Sequence, residues 1–188
     1  MFYAWSKLTI LRYRTYPNLF GVSLYQPKNV ELHASGRKAF KLSDVVPSHI
    51  PDSPYLSQIP CSWGAVYFPR HWREFHNYIA LRLSELSQSS ALSSSSPFLP
   101  LKTIIVPDVR SNRWTKSWKK YFIEFVYLRG YTMLYPSFPD YLSLSTNHHE
   151  LGVHVTTSVS SRKQEFEVPL MSTQALALPP LLSFPFMA

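Results

Sequence analysis

Cysteine occurs once in this sequence, at Cys61, which excludes an intrachain disulfide and any metal site built from this chain's cysteines. A single thiol is compatible with a reducing compartment without establishing one. No run approaches the ~20 apolar residues that a spanning helix needs, so no membrane span is expected. Lys7, Arg12 and Arg14 interrupt the N-terminal apolar residues, unlike the pattern of a signal peptide. The chain therefore reads as soluble, with no compartment assigned. Acids are also few. Eleven Asp and Glu face 19 Lys and Arg, for a formal net charge of +8. That balance suits anionic partners such as nucleotide phosphates, nucleic acid or an anionic membrane surface, and equally a solvated basic surface with no partner. No internal repeat is present.

Aromatic residues are plentiful: 12 Tyr, 12 Phe and 5 Trp, in a chain that is 45% hydrophobic. This is too many for a disordered chain, and large rings are expected to carry much of the buried area. The length, 188 residues, suits one domain. Residues 2–14 predict a helix, with Phe2, Trp5 and Leu8 or Thr9 at helical spacing and Pro17 beyond its end. The helix begins with no lead-in, which predicts truncation. Residues 19–25 predict a buried strand, with Gly21 at a close backbone approach. Residues 26–60 are loop-rich. A short strand over 63–68 precedes a helix that opens on Pro69 and carries an apolar stripe of Trp72, Phe75, Ile79, Leu83 and Leu86, with Arg73, Glu74, Asn77, Arg82 and Glu85 on other faces. A Ser-rich stretch at 87–100 reads as a surface loop. Residues 103–106 predict a strand. A helix over about 113–129 follows, capped by Ser111 or Asn112, burying Trp114, Trp118 and Phe122 and stopping at Gly130. A strand over 131–135 comes last. The alternation argues for an α/β layered fold with a mostly parallel sheet flanked by helices, over residues 1–156. Residues 157–188 read as a disordered or non-native tail.

Three constellations could carry chemistry. Arg110, Arg113, Lys116, Lys119 and Lys120 gather near the start of the 113–129 helix, with no acid between Val109 and Ile123. A helix N-terminus favours anions, so this is either a phosphate or diphosphate clamp or a solvated basic face. His148, His149, Glu150 and His154 form a second group, either a partial divalent-cation site or exposed loop histidines. The third is Cys61-Ser62-Trp63-Gly64. A Cys61 nucleophile beside His71 or His76 is the weaker reading. In the stronger one Trp63 and Gly64 shape a pocket wall, a ring face for a sugar and a place where ligand can approach backbone. Glu74, Glu124, Asp52 and Asp108 are the candidate acids, and Glu124 has a bland alternative in pairing with Lys120.

The strings 61–75 (CSWGAVYFPRHWREF), 118–135 (WKKYFIEFVYLRGYTMLY) and 143–154 (SLSTNHHELGVH) resemble a family of nucleotide-sugar glycosyltransferase-like proteins common in fungi. The resemblance covers about residues 2–155. It implies a GT-A-type fold, of which this chain would be the C-terminal, acceptor-side part. The family's acidic segment, which holds a divalent metal (manganese or magnesium) on the donor diphosphate, would sit just before Met1, outside this chain. By the same analogy Glu74 and Glu85 are the candidate catalytic acids, with Asn77 standing where an acid is expected, and His148 or His154 would supply a late metal ligand. Trp63, Gly64, Arg110, Asn112, Arg113 and Lys116 are the candidate substrate-binding residues. The expected partners are a nucleotide-diphosphate sugar and an acceptor, engaged within a longer parent, with this chain inactive alone. The alternatives are a basic nucleic-acid-binding module, which lacks any named nucleic-acid motif here, and a non-functional truncated product.

Overall fold

A computed structural model describes residues 1–30, 32–46, 52–89, 105–146 and 168–171. The chain opens with helix α1 (Phe2–Tyr13). Its buried residues are Trp5, Thr9 and Tyr13, one stripe at four-residue spacing, while Phe2 and Leu8 are exposed. Thr9 is tolerated there because its hydroxyl donates back to the Trp5 carbonyl at 2.7 Å. Strand β1 (Leu19–Ser23) is buried throughout. The loop-rich stretch after it holds a small antiparallel hairpin of β2 (Asn29–Val30) and β3 (Lys38–Ala39), the short helix α2 (Leu42–Val45), and strand β4 (Tyr55–Ser57). Strand β5 (Ala65–Tyr67) leads into α3 (Pro69–Ser89), and α4 (Trp118–Arg129) into β6 (Thr132–Tyr135). Gly130 ends α4 in the left-handed conformation, φ 63°, as a C-terminal glycine should.

Four strands form one sheet in the order β4-β6-β1-β5. Its central pair, β1 and β6, is parallel, and both outer strands run antiparallel to their neighbours. The layered α/β architecture is therefore present, but the sheet is mixed where a mostly parallel one was expected. The expectation treated every strand–helix–strand run as a crossover between neighbours. In fact β4 and β5 join the outer edges, and the parallel strand pair is bridged by residues 24–131, which include α3 and α4.

Each sheet face has its own core. On one face Phe20, Met133 and Tyr135 pack with Phe75 of α3 and Phe122, Phe125 and Val126 of α4. On the other, Leu19, Val22 and Leu134 pack with Trp5 and Tyr13 of α1. Phe20 and Val22, two residues apart, would share a face in a regular strand. They face opposite cores because the register slips between Leu19 and Gly21, as a bulge does.

Several local expectations are revised. Buried side chains on α3 include His71, Phe75 and Arg82, whereas Leu83 and Leu86 are exposed. The buried line thus runs through a cation, for a reason given by its partners below. The helix expected over 113–129 splits into a 3-10 turn at Arg110–Arg113 and α4 from Trp118. Asn112 does not cap it: its side-chain amide donates backwards to the Val106 carbonyl at 2.9 Å, the competition with helix that such side chains offer. Trp118 is exposed. Ile105 and Val106 are not in a strand, and 101–104 lie outside the described residues. Within the stretch read as a tail, residues 168–171 pack with the domain. Val168 is buried, and Leu170 bridges to Ser143 in parallel. The rest of that stretch lies outside the described residues, as do positions 90–100 of the Ser-rich segment.

Candidate functional site

A cleft opens at the carboxyl ends of the two parallel strands, where β1 runs on into Tyr25 and β6 finishes at Tyr135. In open α/β sheets this is where ligands bind, because the chain diverges there and leaves a crevice. The cleft holds about 80 Å³ and opens to solvent at its mouth, small beside the usual small-molecule site. Its floor is Tyr55 of β4 stacked on Tyr135, ring centroids 5.5 Å apart. One wall is Tyr25 edge-on to Trp63 at 4.9 Å. The hairpin supplies Asn29, Val30 and the neighbouring Phe40, and the loop before β5 supplies Ile59 to Trp63.

The polar groups of this lining are largely engaged with the protein itself. The Tyr135 hydroxyl donates to the Ile59 carbonyl at 2.6 Å. Behind the lining, the Tyr67 hydroxyl donates to the Cys61 carbonyl, and the Cys61 thiol to the Gly64 carbonyl at 3.6 Å. Burial pushes the Tyr55, Tyr67 and Tyr135 hydroxyls well above the usual tyrosine range, so these rings stay neutral. At the rim stands Lys119, from the first turn of α4. Its Nζ donates to Ser62 Oγ at 2.9 Å and lies 5.7 Å from the centroid of the Trp63 ring, within cation–π range. Lys119 is the one charged residue among the described residues that line the cleft.

The expected site residues divide. Trp63 lines the cleft as a wall. Gly64 does not offer its backbone to a ligand: φ is +105°, and the space a Cβ would take is filled by the Ser145 side chain, whose hydroxyl donates to the Trp63 carbonyl at 2.6 Å. Segments 63 and 145 are therefore brought together. Arg110 reaches the cleft only indirectly. Its amide donates to the carbonyl of Leu32, a lining residue, at 2.9 Å. Arg110, Arg113 and Lys116 have exposed side chains and, with Asn112, are absent from the lining. Of the basic cluster, it is Lys119 that arrives.

Neither candidate catalytic acid lines the cleft. Glu74 accepts from the Tyr131 hydroxyl at 2.6 Å and pairs with Arg70 at 3.5 Å. The Tyr131 bond, helped by Arg129 and Arg70, holds its carboxyl below the usual range. Glu85 pairs with Arg82 at 3.4 Å. Glu124 pairs not with Lys120 but with Arg82, at 3.3 Å, and also accepts from the Tyr78 hydroxyl at 3.1 Å. Asp52 and Asp108 sit at positive φ, 60° and 51°, in turns. The Cys61 thiol is buried, and burial raises its pKa, which removes thiolate character. His71 Nε2 donates to the Pro17 carbonyl at 2.8 Å, and neither His71 nor His76 is among the residues that line the cleft with Cys61.

His148 and His154 lie outside the described residues. Among the described residues no group of three His, Cys, Asp or Glu could hold a metal ion. Nor does any helix among them have the length and apolarity to cross a membrane. The tyrosines 25, 55 and 135 were missed from sequence. Each reads as an ordinary aromatic at a strand end, and only the strand order makes them converge.

Residues 1–88 match the model of a family described as SPBC1E8.03c C-terminal domain. No curated protein and no solved structure matches the chain. The matched stretch carries Tyr25, Tyr55 and Trp63 of the cleft but ends before Lys119 and Tyr135. The cleft is thus completed by residues outside the match.

Proposed function

We propose that this chain is the acceptor-side part of a nucleotide-sugar-dependent glycosyltransferase, contributing a binding cleft with no catalytic base among its described lining residues. The observation that carries the reading is the cleft itself: aromatic walls at the carboxyl ends of the parallel pair, one lysine at the rim, and no carboxylate among the described lining residues. Aromatic faces bind and orient a ring. Transfer to a hydroxyl also needs a base for its proton and preorganised charge for the departing diphosphate. Glu74, Glu85 and Glu124 are engaged elsewhere, so those duties fall to a donor-binding half, and this part alone is inactive. The resemblance of segments 61–75, 118–135 and 143–154 to glycosyltransferase-like proteins supports the assignment, and a GT-A-like arrangement of the longer protein goes with it.

The test is nucleotide-sugar turnover with manganese, comparing this chain with a longer one that restores an upstream acidic segment. Turnover by the longer chain alone is expected. Turnover by neither rejects the proposal. Strongly salt-dependent binding to RNA or DNA, without nucleotide-sugar turnover, would favour a basic nucleic-acid module instead.

A further inference from the structure

We propose that the outward face of α1 is a docking surface for an anionic lipid bilayer. Tyr3, Leu8 and Leu11 enter the headgroup layer, and Lys7, Arg12 and Arg14 bind the anionic headgroups. The inference goes beyond the transferase reading and does not rest on it.

Three observations carry it. The first is that α1 is apolar on both sides. Its inner line of Trp5, Thr9 and Tyr13 is buried. Tyr3, Lys7 and Leu11 form a second line at the same four-residue spacing, about half a turn away, with Leu8 beside Leu11. Tyr3 is 66% exposed, Leu11 58% and Leu8 40%, and Phe2 at the start of the helix is 61% exposed. A helix that is apolar all round is ordinarily covered, and apolar side chains gathered on an exposed face mark a contact surface. The second observation is charge. Lys7, Arg12 and Arg14 are exposed among these residues, and residues 1–30 contain no Asp or Glu. None of the ion pairs among the described residues involves the three cations. Lys7 Nζ lies 5.7 Å from the centroid of the Tyr3 ring, so cation and ring share the face, and a long apolar stem lets the ammonium reach headgroups while the ring sinks below them. This mixture decides the partner. Nucleic acid would satisfy the cations and leave the leucines without apolar surface. A second copy of the chain would set like charges together. An anionic bilayer takes both kinds of side chain at once. The third observation is rigidity. Trp5 Nε1 donates to the Ser23 carbonyl at 3.0 Å, which fastens α1 to the end of β1. The face is formed before any contact, so binding carries little ordering cost.

The test is vesicle co-sedimentation of the full chain, with vesicles of phosphatidylcholine alone and of an equal mixture of phosphatidylcholine and phosphatidylserine. The chain should bind the mixed vesicles about tenfold or more tighter than the neutral ones. Lys7→Gln/Arg14→Gln should weaken binding to the mixed vesicles about 10–30-fold, near fivefold for each cation. Leu8→Ser/Leu11→Ser should weaken it by about tenfold or more with every charge intact. Both are changes of exposed side chains, so the urea midpoint and near-ultraviolet spectrum should stay those of the parent. Arg113→Gln/Lys116→Gln removes the same charge near the start of α4, which packs on the opposite face of the sheet. It should change binding by no more than about twofold. Equal binding to both kinds of vesicle, binding to neither, or a loss with the Arg113/Lys116 variant as large as that with the Lys7/Arg14 variant would each overturn the proposal. So would binding that survives the leucine replacements. Transfer RNA bound through Lys7 and Arg14 with no vesicle binding would give the face to nucleic acid, and a dimer in sedimentation that Leu8→Ser/Leu11→Ser abolishes would give it to a second copy; each outcome removes the bilayer. Nucleotide-sugar turnover by the longer chain is measured without vesicles, so the transferase reading stands or falls separately.

Discussion

Replacing Arg82 with Met should destabilise the fold by about 3–5 kcal/mol, the cost of stranding a buried charge whose partner has been removed. The structure places the change at the high end of what one substitution does. Arg82 and Glu124 side chains are 5% and 2% exposed, and they tie the middle of α3 to the middle of α4. Glu124 Oε2 accepts both the Arg82 guanidinium at 3.3 Å and the Tyr78 hydroxyl at 3.1 Å, while Oε1 is buried with no hydrogen-bond partner. With Arg82 gone, that carboxylate keeps a single neutral donor in an apolar layer. Glu124→Gln should cost less, about 1–2 kcal/mol, because the uncharged amide is cheaper to bury and Arg82 keeps Glu85 at 3.4 Å. The double variant Arg82→Met/Glu124→Met should return to within about 1–2 kcal/mol of the parent, since two apolar side chains replace two desolvated charges. Urea unfolding of the parent, Arg82→Met, Glu124→Met and the double variant, followed by circular dichroism, gives the four free energies of a closed cycle and hence the coupling. A loss of about 3 kcal/mol corresponds to a Tm drop of roughly 6–12 °C in a chain of this size. If Arg82→Met costs under about 1 kcal/mol, or the double variant is as unstable as the sum of the singles, the pair is not the buried link described and the reasoning fails.

Other outcomes follow from single contacts. The Glu74 carboxyl is held below its ordinary range by Tyr131, so its ionised form adds stability above the unfolded pKa of ~4.3, and that stability is lost as pH falls through the lower folded value. Tyr131→Phe should lower stability at neutral pH more than at acid pH, and so flatten the acid limb of the stability–pH curve; an unchanged acid limb refutes this. Gly64→Ala should cost about 1–3 kcal/mol through its positive φ, and adding Ser145→Ala should recover only part, because the Ser145 Cβ, 2.7 Å from the added methyl, and the strained backbone both remain; full recovery would show both to be unimportant there. Iodoacetamide should label Cys61 far more slowly in the native chain than in urea, given its burial and raised thiol pKa; equal rates would place the thiol at the surface.

The elements that were legible share a cause: local pattern alone decides them. The Trp5–Thr9–Tyr13 line falls within a helix free of Gly and Pro, Gly130 marks the end of α4, and Gly21 sits against β5, where a Cβ would meet the Tyr67 backbone at 3.2 Å. What was not legible depends on partners distant in sequence. Arg82 reads as a solvent residue until Glu124, 42 positions on, arrives beside it. Exposed Leu83 and Leu86 look like core by the same local rule. The strand directions were misjudged because nothing in β4 or β5 states which edge it will join. The candidate site shows the same limit. Trp63 and the basic cluster were found from composition and spacing, but that Lys119, and not Arg110, Arg113 or Lys116, would reach Trp63 depends on where α4 begins. The backward bond of Asn112 to Val106 accompanies that later start.

The parallel pair links fold to function more tightly than the helices do. Because β1 and β6 run together, both chains leave the sheet at one edge, and the residues just beyond or at their ends, Tyr25 and Tyr135, face a common space. Antiparallel β4 adds Tyr55 to that edge from its first residue, opposite Tyr135 in register. Since α4 runs back against β6, its first turn lies at that edge too, which delivers Lys119. Four residues separated by up to 110 positions thus meet through strand direction alone. The same aromatics that bury the sheet's end wall the cleft, so a substitution that changes ligand binding at Tyr55 or Tyr135 will also change stability. Trp63 and Lys119 stand at the mouth, outside the tightly packed floor. They are the positions where binding can be altered separately from folding, and the comparison of Lys119→Gln with Tyr135→Leu makes that separation measurable. The first should leave the unfolding free energy unchanged. The second should lose about 2–4 kcal/mol of stability from a truncated core ring before any binding is measured. Equal destabilisation by both would mean that the rim, too, is core.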